Sequence, residues 1–179
     1  DFGAYNSWGI VLPYNTVAHL LGPHRVPNLQ VECHGVVTNK TPIGSIRGPG
    51  RLEANFFRER LIDIAAADLG IEPAEMRRRN LIARTEFPYS APGGRVYDSG
   101  DPPALLDQLL MLADYSALRR EQAGLRAKGI LMGIGLAAFI DKAGTGPSAN
   151  LAKRGGLHGG WESAIVRVHS EGKVTVLAG

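Results

Sequence analysis

A single cysteine, Cys33, stands in the 179 residues. One thiol closes no disulfide within the chain and builds no Cys-rich zinc or iron–sulfur site. It suits a reducing, cytoplasmic compartment, and locally it reads as a small buried hydrophobe on a strand. Long apolar runs are missing too. Ile130 to Ile140 is the longest, and Gly133 and Gly135 interrupt it, short of the roughly 18 residues that cross a bilayer. No membrane span is expected, and no signal peptide is visible in this segment. Charge of one sign is scarce, because 20 Lys and Arg against 17 Asp and Glu leave a formal charge of +3. The densest cationic cluster, Arg77-Arg78-Arg79, has few aromatics around it. A nucleic-acid surface wants a basic stripe with stacking rings, so nucleic acid is not an expected partner.

Familiar catalytic strings are absent as well. Gly48-x-Gly50-x-x-Glu53 puts Glu where a dinucleotide fingerprint needs its third glycine, and no P-loop string occurs. There is no nucleophile elbow. His19 and His24 straddle Gly22-Pro23, and His34, His158 and His169 are scattered, so no metal-ligand spacing emerges and no metal ligand is assigned.

What the chain has in abundance is glycine (23) and proline (11), more than an average globular sequence carries. These punctuate a coarse pattern. Asn15 to Leu21 reads as a short helix capped by Asn15 and ended by Gly22. Leu29 to Thr38 alternates as a half-buried strand. Ala54, Phe57, Leu61, Ala65 and Leu69 recur at helical spacing, which predicts a buried stripe with Arg58, Glu59 and Asp63 on the wetter side. Glu72-Pro73-Ala74-Glu75 opens a second helix, whose last turns carry the three arginines where the dipole favours cations. Asp101-Pro102 opens a third, carrying Leu105, Leu106, Leu109 and Leu112, and a fourth runs from Ser116 to Lys128. Ile130 to Ile140 is expected as a buried strand with two glycine bends. The segment from Gly144 to Gly160 reads as loop. Ser163 to His169 and Lys173 to Leu177 read as a hairpin. Helices and antiparallel strands come in separate runs, so the fold class is α+β. The start at Asp1 and the stop after Leu177-Ala178-Gly179 read as an internal segment of a longer polypeptide.

The stretch with chemical content is Gly44-Ser45-Ile46-Arg47-Gly48-Pro49-Gly50-Arg51-Leu52-Glu53, which runs straight into the strong helix. Gly48 and Gly50 let the backbone approach a ligand. The helix start offers unpaired N–H groups, and Arg47 adds a planar donor fork. The combination suits an anionic or oxo-bearing ligand, and equally a turn leading into a capped helix.

An ordered series of motifs decides between these. Thr38-Asn39-Lys40-x-Pro42 leads to Arg47-Gly48-x-Gly50-Arg51-x-Glu53-Ala54 and Glu59-Arg60-Leu61-Ile62-Asp63. Leu69-Gly70-x-x-Pro73-x-x-x-Arg77-Arg78-x-Asn80-Leu81-Ile82, Tyr97-Asp98-Ser99-Gly100-Asp101 and the closing hairpin follow. The series resembles the molybdenum-binding large subunit of the xanthine dehydrogenase, aldehyde oxidase and aerobic carbon monoxide dehydrogenase family. The resemblance implies parts of two molybdopterin-binding lobes with mixed or antiparallel sheets and packed helices: residues 1–82 in the first, 83–96 as connector and 97–179 in the second. It implies molybdopterin with molybdenum, in the cytosine dinucleotide form. It implies hydroxylation of an aldehyde, N-heterocycle or related small substrate, with water as the oxygen source. Electrons would pass to an iron–sulfur small subunit and an FAD medium subunit within a higher-order oligomer.

For the residues, the resemblance implies a catalytic place for Arg47 beside the molybdenum oxo ligands, with Ile46, Arg47, Gly48, Pro49 and Gly50 lining the cofactor. The family's glutamate base and main pterin loop would lie beyond Gly179, so this segment alone is expected to be inactive. Glu53, Glu59, Asp63 and Glu162 are read as helix-start, surface or structural carboxylates. Carbon monoxide dehydrogenases of the family carry Cys directly after this arginine, to hold copper, and Gly48 offers no thiolate. Xanthine oxidases carry an aromatic where Pro49 stands, and proline cannot stack as that ring does. The competing reading is a catalytically dead paralogue that serves as a subunit-assembly or ligand-binding scaffold.

Overall fold

The computed structural model describes residues 1–5, 9–141 and 163–178. Residues 1–140 form one compact unit and 141–179 another. The chain is α+β: five α-helices, with small antiparallel pairings among the described residues. The expected loop Gly144 to Gly160, with His158, lies outside them, as does Glu162.

The first helix, α1, spans Val11–His19, earlier than the Asn15 to Leu21 expected from capping. Pro13 explains the shift. The first N–H groups of a helix need no intrahelical acceptor, so proline is tolerated in the first turn and the helix begins ahead of it. The stretch from Leu29 to Thr38 has no regular secondary structure and joins no strand ladder. Its far end pairs with the N-terminal residues: Phe2 N donates to Val36 O (2.8 Å) and Thr38 N donates to Gly3 O (3.1 Å). Cys33 is exposed there, so it is not the buried hydrophobe that alternation suggested.

Helix α2 (Arg51–Asp68) is the longest, and its orientation reverses the expectation. Its buried residues are Ala54, Arg58, Glu59 and Ala66. Phe57, Leu61 and Leu69 of the anticipated apolar stripe are exposed, Leu61 by 65%. Helix α3 (Pro73–Asn80) begins as its sequence implies, with Glu72 Oε2 accepting from Ala74 N at 2.8 Å and Glu75 N at 3.2 Å. A short connector follows, with a two-residue pairing of β1 (Tyr89–Ser90) and β2 (Val96–Tyr97). Helix α4 (Pro102–Leu112) is capped by Asp101, and α5 (Tyr115–Ala127) by Asp114 in the left-handed region. In the second unit, β3 (Ala164–Val168) and β4 (Val174–Ala178) form the expected hairpin, with Val166 opposite Val176.

The centre of the first unit is polar. Arg77 is fully buried, not a surface cation at a helix end as its position in the last turns of α3 suggested. Its Nε donates to Glu59 Oε2 (2.8 Å), one Nη1 to Asp63 Oδ1 (2.9 Å) and the other, Nη2, to Leu136 O (2.8 Å). Arg58 donates from Nε to Glu59 Oε1 at 2.8 Å and from Nη2 to Ala138 O at 2.6 Å. The run from Ile130 to Ile140 is therefore not a sandwiched apolar strand. It is extended and outside any ladder, its odd-numbered residues are exposed, and two of its even-numbered carbonyls are held by buried guanidinium groups.

His24 completes the cluster with Nε2 3.1 Å from Glu59 Oε1. A carboxylate oxygen only accepts, so Nε2 carries the hydrogen. Burial lowers the His24 pKa below its ordinary 6.5, against the pull of Glu59, and the ring is neutral. Two guanidinium groups then face two carboxylates. Burial pushes the Glu59 carboxyl up, but hydrogen bonds from His24 and Arg58 prevail and hold it at about 2.

These signs fix a pH dependence. His24 binds its proton less readily in the folded protein, so its contribution to stability is complete above about pH 6.5 and declines as pH falls below that value. Glu59 adds a second loss between pH 4.5 and about 2. In the full-length protein, His24→Gln, which still offers an amide donor to Glu59, should flatten the fall in unfolding midpoint between about pH 7 and 5. Glu59→Gln should destabilise by roughly 3–5 kcal/mol in denaturant titration, because buried Arg58 loses its carboxylate and buried Arg77 keeps only Asp63.

Candidate functional site

The loop ahead of α2 is built on α1. Asn15, in mid-helix and not at its cap, donates from Nδ2 to Pro49 O at 3.0 Å. Gly50 caps α2 in the left-handed region at φ 77°. A Cβ there would overlap Leu12 O and stand 2.7 Å from Asn15 Cβ and Thr16 N. Glycine at 50 is thus demanded twice, by backbone angle and by the close approach of α1. Arg51 N donates to Gly48 O (3.1 Å) and Ala54 N to Gly50 O (3.1 Å), which turns the chain into the helix.

Gly48 differs. Its φ is 81°, yet no atom lies within 4 Å of where a Cβ would stand. The loop is anchored on one side and open on the other. Ile46 and Arg47 are exposed, Ile46 by 75%, and Pro49 is half-buried. Among the described residues Arg47 makes no hydrogen bond or ion pair, whereas Arg25, Arg58, Arg77, Arg78 and Arg79 each pair with a carboxylate.

The other candidates are placed plainly. Glu59 is a buried structural carboxylate, Asp63 pairs with Arg77, and Glu53 lies in the first turn of α2. His19 Nδ1 lies 2.8 Å from Asn15 O, and His34 is exposed beside Glu32. His169 meets Thr175 Oγ1 at 3.1 Å. No group of three His, Cys, Asp or Glu among the described residues could hold a metal ion. Sequence reasoning missed Asn15 as the loop's anchor, and it missed Gly22. At Gly22 (φ 52°) a Cβ would stand 2.5 Å from Arg58 Cζ. The adjacent Gly22-Pro23 pair signalled a bend, but nothing local signalled a guanidinium from 36 residues further on.

An open, unpartnered guanidinium beside a side-chain-free position fits an anionic, oxygen-bearing group, which is the chemistry the molybdenum end of a pterin cofactor presents. Comparison with known proteins decides the family. Models of the molybdopterin cofactor-binding domain match residues 1–81 and 108–179. The chain belongs to the molybdenum hydroxylase large subunits. It is 39% identical over 170 residues to the gamma subunit of the 6-hydroxypseudooxynicotine dehydrogenase complex of Paenarthrobacter nicotinovorans, covering 92% of this chain and 20% of that one. It is 37% identical over 163 residues to the carbon monoxide dehydrogenase large chain of Hydrogenophaga pseudoflava, covering 88% of this chain and 20% of that one. The crystal structure of quinoline 2-oxidoreductase from Pseudomonas putida 86 superposes with a TM-score of 0.88 at 37% identity, over 98% of this chain and 23% of that one. The chain thus spans about a fifth of the length of the relatives it matches. Among the described residues no helix is long and apolar enough to cross a membrane.

The two glycines separate structure from exposure. Gly50→Ala should cost the fold upwards of roughly 2 kcal/mol, from a strained backbone plus a backbone clash. Gly48→Ala should cost about 1 kcal/mol, from backbone angle alone. Denaturant midpoints of the two variants in the full-length protein measure the difference, and equal losses would contradict it.

Proposed function

We propose that the loop Ile46–Gly50 faces the molybdenum end of a molybdopterin cofactor in its cytosine dinucleotide form, and that the full-length protein hydroxylates a small N-heterocycle or aldehyde. The bound group would supply two-electron oxidation at carbon, with oxygen taken from water. Electrons would leave through an iron–sulfur small subunit and an FAD medium subunit of a cytoplasmic oligomer. Residues 1–82 and 97–179 would belong to two lobes joined by 83–96.

The observation that carries the reading is Arg47. Its guanidinium is exposed, has no carboxylate partner among the described residues and rides on a loop pinned to α1 by Asn15 and Gly50. A positive donor fork beside the place where negative charge develops stabilises that charge, and this is how such groups contribute to rate. Gly48 keeps the neighbouring space clear and offers no thiolate for a second metal. An N-heterocycle is the favoured substrate class. Relatives named for nicotine 6-hydroxylation and quinoline 2-oxidation support it, and they stand at 33% and 37% identity.

Arg47→Ala in the full-length enzyme should lower kcat/KM by roughly 10²–10³-fold while the unfolding midpoint stays in place. Arg47→Lys, a point charge without the fork, should recover only part of it. Undiminished turnover by a folded Arg47→Ala protein would reduce the loop to a bend.

A further inference from the structure

Helix α1 is tied to α2 at both ends. At one end lie the Asn15 bond to Pro49 O and the contact of Gly50 with Leu12, Asn15 and Thr16. At the other, Arg58 Nη1 donates to His19 O and Leu20 O, each at 3.2 Å. Both carbonyls lie at the negative end of α1, where a cation is most favoured, and His19 O also accepts from Gly22 N at 3.1 Å. The guanidinium reaches them only because residue 22 has no side chain. Glu59 holds its Nε, Asn55 accepts from Nη2, and Nη2 also reaches Ala138 O.

We propose that Arg58 is a positioning residue for the Arg47 loop. It acts through α1, and the same guanidinium couples the loop's setting to the extended segment 130–140. The route has three links: Arg58 fixes the end of α1, α1 carries Asn15, and Asn15 holds the carbonyl between the two glycines. Loss of the first link lets α1 tilt on α2 and loosens the turn that presents Arg47. Because Ala138 lies within the second cofactor-binding span and Arg58 within the first, one side chain aligns elements of both. The consequence for turnover rests on the role proposed above for Arg47; the positioning itself does not.

The test is hydrogen–deuterium exchange on the full-length protein. Arg58→Lys keeps a cation beside Glu59 but replaces the fork with one ammonium, too compact to hold the α1 carbonyls, Asn55 and Ala138 together. The amides of Arg51 and Ala54, which close onto Gly48 and Gly50, should exchange roughly tenfold faster, the effect of losing one charge-assisted bond. Those of Ala113 and Leu118, at α4 and α5, should not change. Asn15→Ala should loosen the same two amides, and the double variant should add little, because both act on one helix. Unchanged exchange at Arg51 and Ala54 in either single variant overturns the proposal. So does an equal rise at all four amides, or full additivity of the pair. Loosened amides with undiminished turnover support the positioning and count instead against the role given to Arg47.

Discussion

A carboxylate between two buried guanidinium groups organises the first unit. Arg77 is wholly buried and Arg58 nearly so, and a buried charge without a partner costs several kcal/mol. Glu59 meets both through different oxygens, and Asp63 adds the second negative charge. With electroneutrality settled, several donors remain, and they are spent on main-chain carbonyls of His19, Leu20, Pro73, Leu136 and Ala138. The apolar core beside this cluster includes Leu21, Leu81 and Ile82 as well as Ala54, Ala66 and Ala74. Hydrophobic burial is non-directional, so the two forks supply the directional contacts that set α1, α2, α3 and the 130–140 segment against one another.

Two glycines serve that arrangement from opposite sides. Gly22 leaves room for the Arg58 guanidinium against the chain leaving α1, and Gly50 lets α1 lie against the start of α2. In both places a methyl group would fall on fixed atoms, so the requirement is steric as well as conformational. Gly48 has the same backbone sign and empty space around it. Its missing side chain serves the outside of the loop, where a ligand would come, and does nothing for the packing behind.

What could be read from the chain divides along this line. The starts of α3 and α4 were legible because caps act within a few residues, as Glu72-Pro73 and Asp101-Pro102 show, whereas α1 has no side-chain cap to mark its start. The turn into α2 was legible because its two glycines lie next to the helix start. The hairpin announced itself by alternation around Ser170-Glu171-Gly172. The inner face of α2 was not legible. Periodicity marks an apolar stripe but not which side faces inward, and here Arg58 and Glu59 face in while Phe57 and Leu61 face out. A helix turns its charged side inward only when partners wait there. Those partners, His24, Arg77 and carbonyls 38, 39 and 80 residues away, share no local pattern. Arg77 was misplaced for the same reason: a triple arginine at a helix end has a sufficient local explanation, and burial of one member depends on Glu59.

The arginines of this chain therefore differ in what their charge is for. Arg58 and Arg77 have theirs cancelled at short range, and their remaining donors fix backbone. Arg78 and Arg79 bind Glu75 within their own helix, a surface pairing of small energetic weight. Among the described residues Arg47 has neither cancellation nor a backbone task, and the chain beside it at Pro49 and Gly50 is anchored on α1. A charge with no internal partner has no bond to break when an anion arrives. An anchored loop base and open space in front are what a cofactor-facing cation requires. The packing that supplies the anchor is traced through α1 to the same guanidinium that offsets Glu59, which makes the buried cluster and the exposed loop parts of one mechanical unit.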